Sequence, residues 1–278
     1  MRGLRKEICL AAFFRLAVYG GALLAAAGFC LVAGYILMRG VPEFTEDLFA
    51  YRYTEESLTI FPALMTTVYL TGAVLLVAAP LGIGTAIWTS EYLPARSGAR
   101  SVIRLFTNTM NGMPSILYGL FGFFIFVIGL SMGYSLFSGA AVMVIMILPL
   151  IIRTAEESLE AVPAIYRETG AAMGISKWAL IRHVILPEAA PGIMAGLILA
   201  MGRMAGAAAA LIYTSGTVPR MPESFWDSGR PLAVHVYMLY SEDVSETRVF
   251  AAAAVLLIVT GLMTALAEYI GRRFHHGR

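Results

Sequence analysis

The sequence contains little charge and almost no lysine. Of its 278 residues only 14% are charged, whereas 59% are hydrophobic, and the mean hydropathy is +0.76. This composition excludes a soluble globular domain and is typical of a protein that crosses the membrane several times. The only lysines are Lys6 and Lys177, and neither follows a glycine. The chain therefore lacks the P-loop G-x4-G-K-[ST], and we expect it not to hydrolyse ATP itself.

Catalytic and metal-binding motifs are also missing. There is no GxSxG, no HExxH and no Cys/His cluster with metal spacing, so we predict neither an enzyme nor a cofactor in this chain. Cys9 and Cys30 lie in the first apolar run, roughly 31 Å apart along a helix. This is too far for a disulfide, which needs ~4.4–6.8 Å between Cα atoms. The run is longer than the apolar core of a signal peptide, so we expect it to remain as the first span.

Long apolar runs make up most of the chain. Stretches of about 20 or more apolar residues predict membrane-spanning helices. The predicted spans are 11–38, 61–89, 103–130, 135–155, 188–215 and 249–271. The fold class is therefore an all-α, polytopic integral membrane protein with six transmembrane helices. We divide it into an N-terminal helix with an outside loop (1–60), a transmembrane domain (61–271) and a basic tail (272–278).

Glycine and proline inside the spans are expected to shape the helix packing. Two GxxxG pairs lie in the fifth span, Gly192 with Gly196 and Gly202 with Gly206, and predict that another helix approaches closely there. Prolines that we expect to kink a span are Pro80, Pro114 and Pro149.

The basic residues are distributed unevenly between the two sides. On one side or at its border are Arg2, Arg5, Lys6, Arg15, Arg96, Arg100, Arg104, Arg153, Arg167, Lys177, Arg182, Arg272, Arg273 and Arg278. The other side holds ten acidic residues together with Arg39, Arg52, Arg220, Arg230 and Arg248. Because cytoplasmic loops carry the excess of Lys and Arg, both termini and the segment 156–187 are predicted to be cytoplasmic.

The longest polar passage separates the fourth and fifth spans. Residues 161–173 are amphipathic, Gly174 can adopt the left-handed conformation that ends a helix, and Ser176 can cap the next helix. Pro187 is predicted to begin the following apolar helix. We therefore predict a helical hairpin at residues 156–187, called the polar hairpin below. The alternative is a solvated amphipathic surface that contacts no partner.

Two polar segments lie on the opposite side. Residues 39–60 are acidic, and residues 216–248 are rich in proline and aromatic side chains. Within the second segment, PLAVHVYMLY is too short to span a membrane and predicts an interfacial or re-entrant helix. The segment is either a docking site for an extracytoplasmic binding protein or an aromatic anchor at the interface, and the sequence favours neither.

Charged residues inside the spans are the candidate functional residues. Arg203 lies in the middle of the fifth span, where a cation costs ~2.5–3.5 kcal/mol to insert. Arg153 ends the fourth span, and Glu156 and Glu157 follow on the same helix face, where they can pair with it. Arginine suits a pathway for an oxyanion because its planar fork of donors stays protonated. The alternatives are snorkelling to the interface for Arg153 and a structural salt bridge for Arg203.

Several motifs point to a known family. Glu168, Gly174, Leu186 and Pro187 match four of the seven positions in the pattern E-A-A-x3-G-x9-I-x-L-P, the EAA loop of ABC importer permeases. Further motifs are IIRTAEESLEAVP and GIMAGLILAMGRMAG on either side of the loop, SEYLP at 90–94 and MPSILYGLFG at 113–122. From about residue 60 to the C-terminus, the chain resembles the permease subunits of phosphate-specific (Pst) ABC transporters, PstA type.

This resemblance implies a fold, a function and partners. The fold is that of a type I ABC importer permease, with Glu168, Gly174, Leu186 and Pro187 coupling it to an ATPase. The implied function is to form, with a second permease (PstC-like), the membrane pathway for inorganic phosphate. A dimer of ATPase subunits (PstB-like) would carry ATP and Mg, and an extracytoplasmic phosphate-binding protein (PstS-like) would deliver the substrate. The implied location is a bacterial or archaeal cell membrane, in contact with lipid and without a nucleic-acid partner.

The resemblance also implies a role for three charged residues, with one departure. Arg153, Glu156 and Arg203 match charged positions implicated in phosphate translocation. The family segment R-x-x-G-[ED]-T-A has an acid four residues after the arginine, whereas this chain has Ala207 there. The counter-ion on the same helix is therefore absent. The alternatives are a permease for another oxyanion or small polar solute, and a membrane sensor or scaffold that has lost transport.

Overall fold

The computed structural model describes residues 2–54, 57–94, 96–243 and 245–275, with side chains between residues 14 and 269 of those ranges. Its helices are α1 (Arg2–Gly40), α2 (Phe61–Ile87), α3 (Gly98–Asn111), α4 (Ser115–Gly122), α5 (Leu136–Glu160), α6 (Ala164–Ala172), α7 (Lys177–Leu180), α8 (Leu186–Ala205), α9 (Ala208–Ile212), α10 (Leu232–Ser241) and α11 (Glu246–His275). Turns of π-helix extend α2 through Trp88–Tyr92, extend α4 through Phe123–Gly129 and join α7 to α8 through Ile181–Ile185. The described part of the chain contains no strand.

A few sequence-based predictions concern residues that are not described. Glu55 and Glu56 of the acidic 39–60 segment lie outside the described residues, and so do residues 276–278 of the predicted basic tail. The side chain of Cys9 is likewise outside them, whereas Cys30 is free and exposed.

The prediction of an all-helical membrane protein is confirmed. Within the described residues, five helices are long and apolar enough to cross a membrane, and the bent pair formed by α3 and α4 makes up to six. The first, second, fourth and sixth predicted spans correspond to α1, α2, α5 and α11.

The third predicted span, 103–130, is not one straight helix. It divides into α3 and the helix Ser115–Gly129, which are bent by 101° relative to each other. Pro114 lies in the break, where it lacks an N–H and disfavours the helical conformation of the preceding residue. The predicted kink at Pro114 is therefore a break that turns α3 away from the axis of α4. Consistent with this, α3 is amphipathic, with exposed apolar side chains on one face and buried Arg100 on another.

The fifth predicted span, 188–215, is shifted in the structure. Pro187 lies in the first turn of α8, as predicted, but α8 continues directly from α7, so the spanning helix runs without interruption from Lys177 to Ala205. A π-turn just before Leu186 lets the chain continue through this proline. The helix ends at Gly206, and Ala207 has a non-helical conformation with φ −88° and ψ 44°. The sequence pattern missed this end because residues 206–212 are as apolar as the helix itself.

The core is formed where α5 packs between α2 and α8. Val74 and Ala78 of α2 meet Met143, Met146 and Ile147 of α5, and all five are buried. Because lipid is as apolar as these side chains, close packing and not water exclusion stabilises such a contact within a membrane. The core therefore places α2, α5 and α8 side by side next to the polar hairpin.

The first predicted GxxxG pair is a close helix contact, and the second is not. A Cβ on Gly192 would lie 2.3 Å from Ser158 Oγ, and one on Gly196 would lie 2.1 Å from Thr154 Oγ1, so α5 and α8 touch there. Gly202, by contrast, has no described neighbour within 4 Å of that position. It lines an open apolar groove of about 630 Å³ between α1, α8 and α11.

Helix α1 lies at the edge of the molecule. Its contact with α11 is close at one end, where Tyr35 packs edge-on against Phe250 at 5.6 Å and Gly40 fits against the Phe250 backbone. Most of its described side chains are exposed, which places it beside lipid or another membrane helix.

Candidate functional site

Glu156 is the buried centre of a charge cluster. Its side chain is only 2% exposed, and Arg104 of α3 reaches it with both Nε and Nη2 at 3.0 Å. Arg100 lies 3.5 Å from the same carboxylate, and both arginines also bind Glu160. The two arginines are four residues apart on α3 and the two glutamates four apart on α5, so one helix face meets the other. This cluster attaches the amphipathic α3 to the end of α5.

Arg153 does not pair with Glu156. Its Nε lies 2.7 Å from Glu157, four residues along α5, and both side chains are partly exposed. The predicted shared face is therefore divided: Arg153 and Glu157 face outward, whereas Glu156 turns toward α3. Glu157 also lines a groove of about 480 Å³ between α5 and α8, opposite Glu188. A partly exposed local pair is the arrangement that the snorkelling alternative describes, and it leaves Arg153 accessible.

Arg203 meets neutral oxygens. Its Nη1 lies 3.5 Å from Asn111 Oδ1, and its Nη2 lies 3.4 Å from the Asn111 carbonyl at the C-terminal end of α3. Both are long hydrogen bonds. Among the described side chains no carboxylate forms an ion pair with Arg203, and the adjacent Ala207 is buried and neutral. The C-terminal end of a helix carries partial negative charge, which favours a cation there. Arg203 is therefore stabilised without being neutralised.

The structure thus separates the three predicted pathway residues. Glu156 belongs to the cluster with Arg100 and Arg104, Arg153 pairs within its own helix, and Arg203 contacts the break after α3. From the sequence, Arg100 and Arg104 indicated only the orientation of the chain, and Asn111 was not predicted as a site residue. Their signal was present, because two arginines four residues apart match the spacing of Glu156 and Glu160.

The polar hairpin has the predicted local structure. Gly174 has φ +69°, the left-handed conformation that ends α6, and Ser176 Oγ accepts a hydrogen bond from the Ala179 N–H. Gly170 is buried against Leu180, which joins the two arms of the hairpin. Glu168 and Gly174 are exposed at the tip, whereas Leu186 and Pro187 are half-buried at the start of α8.

The surface of the polar hairpin is apolar as well as charged. Its exposed large apolar side chains are Ile165, Tyr166, Met173, Ile175 and Trp178. Exposed apolar side chains grouped on one short element indicate a surface that contacts another protein. Their neighbour Lys177 lies over the ring of Tyr92, 5.0 Å from its centre.

An ion pair that was not predicted from the sequence connects the polar hairpin to α2. Arg167 on α6 binds Glu91, which lies in the π-turn after α2 and whose side chain is only 5% exposed. The shortest contact joins Nη2 to Oε1 at 2.5 Å. Glu91 belongs to the SEYLP motif, and a carboxylate at the end of an apolar helix is the signal that could have identified it.

The segment opposite the polar hairpin contains the predicted short helix, α10. Trp226 stacks on Phe137 with ring centres 5.0 Å apart and remains exposed. Arg230 is buried and pairs with Glu242 at 3.2 Å. His235 of α10 is also buried, and burial, with a contribution from Arg230, lowers the pKa of its imidazole to about 3. Among the described residues, no group of three or more His, Cys, Asp or Glu is arranged to hold a metal.

Long apolar helices joined by an exposed helical hairpin are the features that the predicted permease fold requires. Residues 78–276 match the family described as binding-protein-dependent transport system inner membrane component, and the chain belongs to that family. This membership, together with the PstA relative given below, confirms the predicted resemblance to PstA-type permeases of ABC importers.

Individual relatives support this assignment. The chain is 30% identical over 258 residues to a probable ABC transporter permease protein, YqgI, of Bacillus subtilis, covering 85% of this chain and 86% of that protein. It is 31% identical over 215 residues to the phosphate transport system permease protein PstA 1 of Mycobacterium tuberculosis H37Rv, covering 76% and 69%. It is also similar to the phosphate transport system permease protein PstC of Mesorhizobium japonicum, at 27% over 232 residues, covering 73% and 70%.

Solved structures share the fold at low sequence identity. A bacterial ABC transporter for the acidic polysaccharide alginate has a chain with a TM-score of 0.63 at 15% identity, covering 93% of this chain and 96% of that one. The methionine ABC transporter MetNI, in an inward-facing conformation, gives 0.60 at 17% identity, covering 77% and 94%. These similarities confirm the predicted permease fold.

Proposed function

We propose that this ABC importer permease forms, with a second permease, the membrane pathway for inorganic phosphate. The observation that carries the proposal is Arg203, which is held by a neutral amide and a carbonyl oxygen and has no described carboxylate partner. An arginine of this kind retains a full positive charge for a passing oxyanion, and its planar fork can bind phosphate bidentately. Relatives named as phosphate transport permeases support the choice of this anion.

The proposed pathway lies at the interface with the second permease. Arg153 and Arg203 are both partly exposed in this chain, so they can face a partner or a wet passage. Glu156 is fully buried and paired with two arginines, so its part is to hold α3 and α5 together beside the pathway. The similarity to a PstC protein supports the pairing of two related permeases.

The remaining partners are assigned by surface. A dimer of ATPase subunits, with ATP and Mg, would bind the exposed apolar tip of the polar hairpin on the cytoplasmic side. An extracytoplasmic phosphate-binding protein would dock on the opposite segment around Trp226. Because α5 leads into the hairpin and α8 leads out of it, closure of the ATPase dimer would tilt both helices and open the pathway to the other side. The chain would lie in a bacterial or archaeal cell membrane.

The experiment compares Arg203→Gln with Arg203→Lys in the complex reconstituted into liposomes with its ATPase and binding protein. Loss of a charge-assisted hydrogen bond is expected to lower phosphate uptake by about ten- to a hundred-fold in the glutamine variant. The lysine variant keeps the charge but not the fork, so it should retain part of the uptake. Arg96→Gln, an exposed arginine outside the pathway, is the control and should transport normally.

Other substrates and functions give different results. Uptake of sulfate or a neutral solute, with no uptake of phosphate by the wild-type complex, would assign another substrate. ATP turnover that no solute stimulates would favour the sensor or scaffold alternative. Unchanged phosphate uptake in Arg203→Gln would remove Arg203 from the pathway.

A further inference from the structure

Arg167 uses its whole guanidinium group to hold three parts of the chain together. Its Nε donates to both carboxylate oxygens of Glu91, at 3.1 Å and 3.2 Å, while Nη2 approaches Oε1 at 2.5 Å. Nη2 also donates to the Leu159 carbonyl at 2.8 Å, and Nη1 donates to the Val162 carbonyl at 2.9 Å. The last carbonyl oxygens of an α-helix lack an intrahelical N–H partner, so the hydrogen bond from Arg167 to the Leu159 carbonyl also caps α5.

Unlike the apolar contacts of the hairpin arms, this ion pair is directional. Helix α7 and the π-turn after it pack through Leu180, Ile181 and Ile185 on apolar residues of α2 and α5, and such surfaces can slide over each other. A bidentate arginine–carboxylate pair fixes both distance and orientation. Because the Glu91 side chain is only 5% exposed, separating the pair would leave a buried carboxylate without its partner, which is strongly unfavourable.

The position of Glu91 gives the pair mechanical importance. It lies in the π-turn that directly extends α2, so the pair joins the hairpin to the end of a spanning helix. A force applied to α6 would therefore be transmitted by Arg167 to two places. One is the C-terminal extension of α2, through Glu91, and the other is the C-terminal end of α5, through Leu159. In the sequence of the chain, by contrast, the hairpin is continuous only with α5 and α8.

We propose that the Glu91–Arg167 pair is the joint that transmits displacement of the polar hairpin to α2, so that α2 moves together with α5 and α8 when nucleotide closes the ATPase dimer. Glu91 and Arg167 are positioning residues that contact neither substrate nor ATP. The inference rests on the proposed function in one respect: it takes the polar hairpin as the surface that the ATPase moves.

The test measures motion within the chain and needs no transported substrate. Spin labels are placed on cysteines in a chain whose Cys9 and Cys30 are replaced by alanine, assembled with its second permease and ATPase. One pair, Gly84→Cys with Tyr240→Cys, reports the hairpin end of α2 relative to α10. The reference pair, Glu188→Cys with Tyr240→Cys, reports the start of α8 relative to the same point. Distances are measured without nucleotide and in the vanadate-trapped state.

These label positions suit the measurement. Gly84, Glu188 and Tyr240 are exposed, and a Cβ on Gly84 has no described neighbour within 4 Å. In the wild type we expect vanadate trapping to change both distances. In Glu91→Gln we expect loss of the change at position 84 and retention of the change at position 188. Glu91→Asp and Arg167→Lys keep both charges, so each should show part of the distance change at position 84 that Glu91→Gln loses. If Glu91→Gln does not assemble, these two variants still test the proposal.

Arg96→Gln is the matched control, because Arg96 is an exposed arginine in the segment that directly follows Glu91. It should show the wild-type change at both positions. The proposal is overturned if α2 in Glu91→Gln moves as in the wild type, if Arg96→Gln loses the change equally, or if only position 188 responds in the wild type. Failure of both pairs to respond in an assembled wild-type complex would overturn the proposed role of the hairpin as well, so the two failures are distinguishable.

Discussion

Single side chains in this protein show how a membrane helix bundle accommodates charge. Glu156 is buried and receives two arginines from α3, whereas Arg203 receives only the amide and carbonyl oxygens of Asn111. Burying a charge is unfavourable unless it is paired and hydrogen-bonded. The first arrangement pairs the charge with two arginines and suits a structural role. The second leaves it available, which suits a role in anion passage.

His235 makes acid sensitivity a testable property. Its pKa is lowered from 6.5 to about 3, so the folded protein keeps the ring neutral in a range where the unfolded chain protonates it. The contribution of His235 to the free energy of unfolding is therefore fully present above pH 6.5. It is lost as the pH falls toward 3, by up to about 1.4 kcal/mol per pH unit. We expect His235→Phe to flatten the pH dependence of the apparent Tm of the purified protein. The exposed His183, replaced by Gln, is the control and should leave the wild-type curve unchanged. An equally steep curve in His235→Phe would contradict the assignment.

Among the helices, the contact of α5 with α8 depends on the absence of two side chains. Gly192 and Gly196 allow Ser158 and Thr154 to lie where a Cβ would otherwise be. The hairpin between these helices can act on both at once because they are in direct contact. The neighbouring Gly202 has the same spacing pattern but faces the open groove beside α1 and α11.

Because of this difference, we expect a methyl group added at Gly196 and one added at Gly202 to have different effects on stability. Gly196→Ala places a Cβ 2.1 Å from Thr154 Oγ1 and is expected to destabilise the protein by ~1–3 kcal/mol, as overpacking does. Gly202→Ala enters open space and should leave stability unchanged or raise it slightly, because alanine favours the helix. Thermal unfolding of the two purified variants in detergent measures the effect. An equal loss of thermal stability in both variants would mean that α8 itself, and not its contact with α5, is sensitive to a glycine-to-alanine substitution.

In the assembled membrane protein, α8 determines the sides on which the two polar regions lie. The spanning segment Lys177–Ala205 has 29 residues, which is about 43 Å at 1.5 Å per residue and enough for one crossing. The polar hairpin and the segment around Trp226 should therefore lie on opposite sides. From the excess of basic residues on its side, we expect the hairpin to lie in the cytoplasm.

Reporter fusions test this arrangement in cells. A reporter inserted within 174–176 should be active as a cytoplasmic protein, and one inserted beside Trp226 should be active outside. At each site, one reporter that is active only in the cytoplasm and one that is active only outside are compared, which controls for expression. A cytoplasmic signal at Trp226 would exclude the proposed crossing by α8.

Much of the architecture could be predicted from local sequence. The apolar runs placed the spanning helices, the composition of 156–187 placed the hairpin, and Gly174 and Ser176 marked the turn between its arms. These features depend on the transfer of a few consecutive residues into an apolar medium and on main-chain hydrogen bonds within one element. The family motifs could be read in the same way, because each is continuous or has fixed spacing.

The polar contacts between helices could not be predicted as pairs, because they join residues that are distant in sequence. Arg104 and Glu156 are separated by 52 residues, Glu91 and Arg167 by 76, and Asn111 and Arg203 by 92. Which of these side chains meet depends on the rotation of each helix, on the 101° break between α3 and α4 and on where α8 ends. Helix-face periodicity allowed both Glu156 and Glu157 to pair with Arg153, and the packing of α3 against α5 selected Glu157. Local hydrophobicity thus specifies the helices, whereas their packing specifies the partner of each charge.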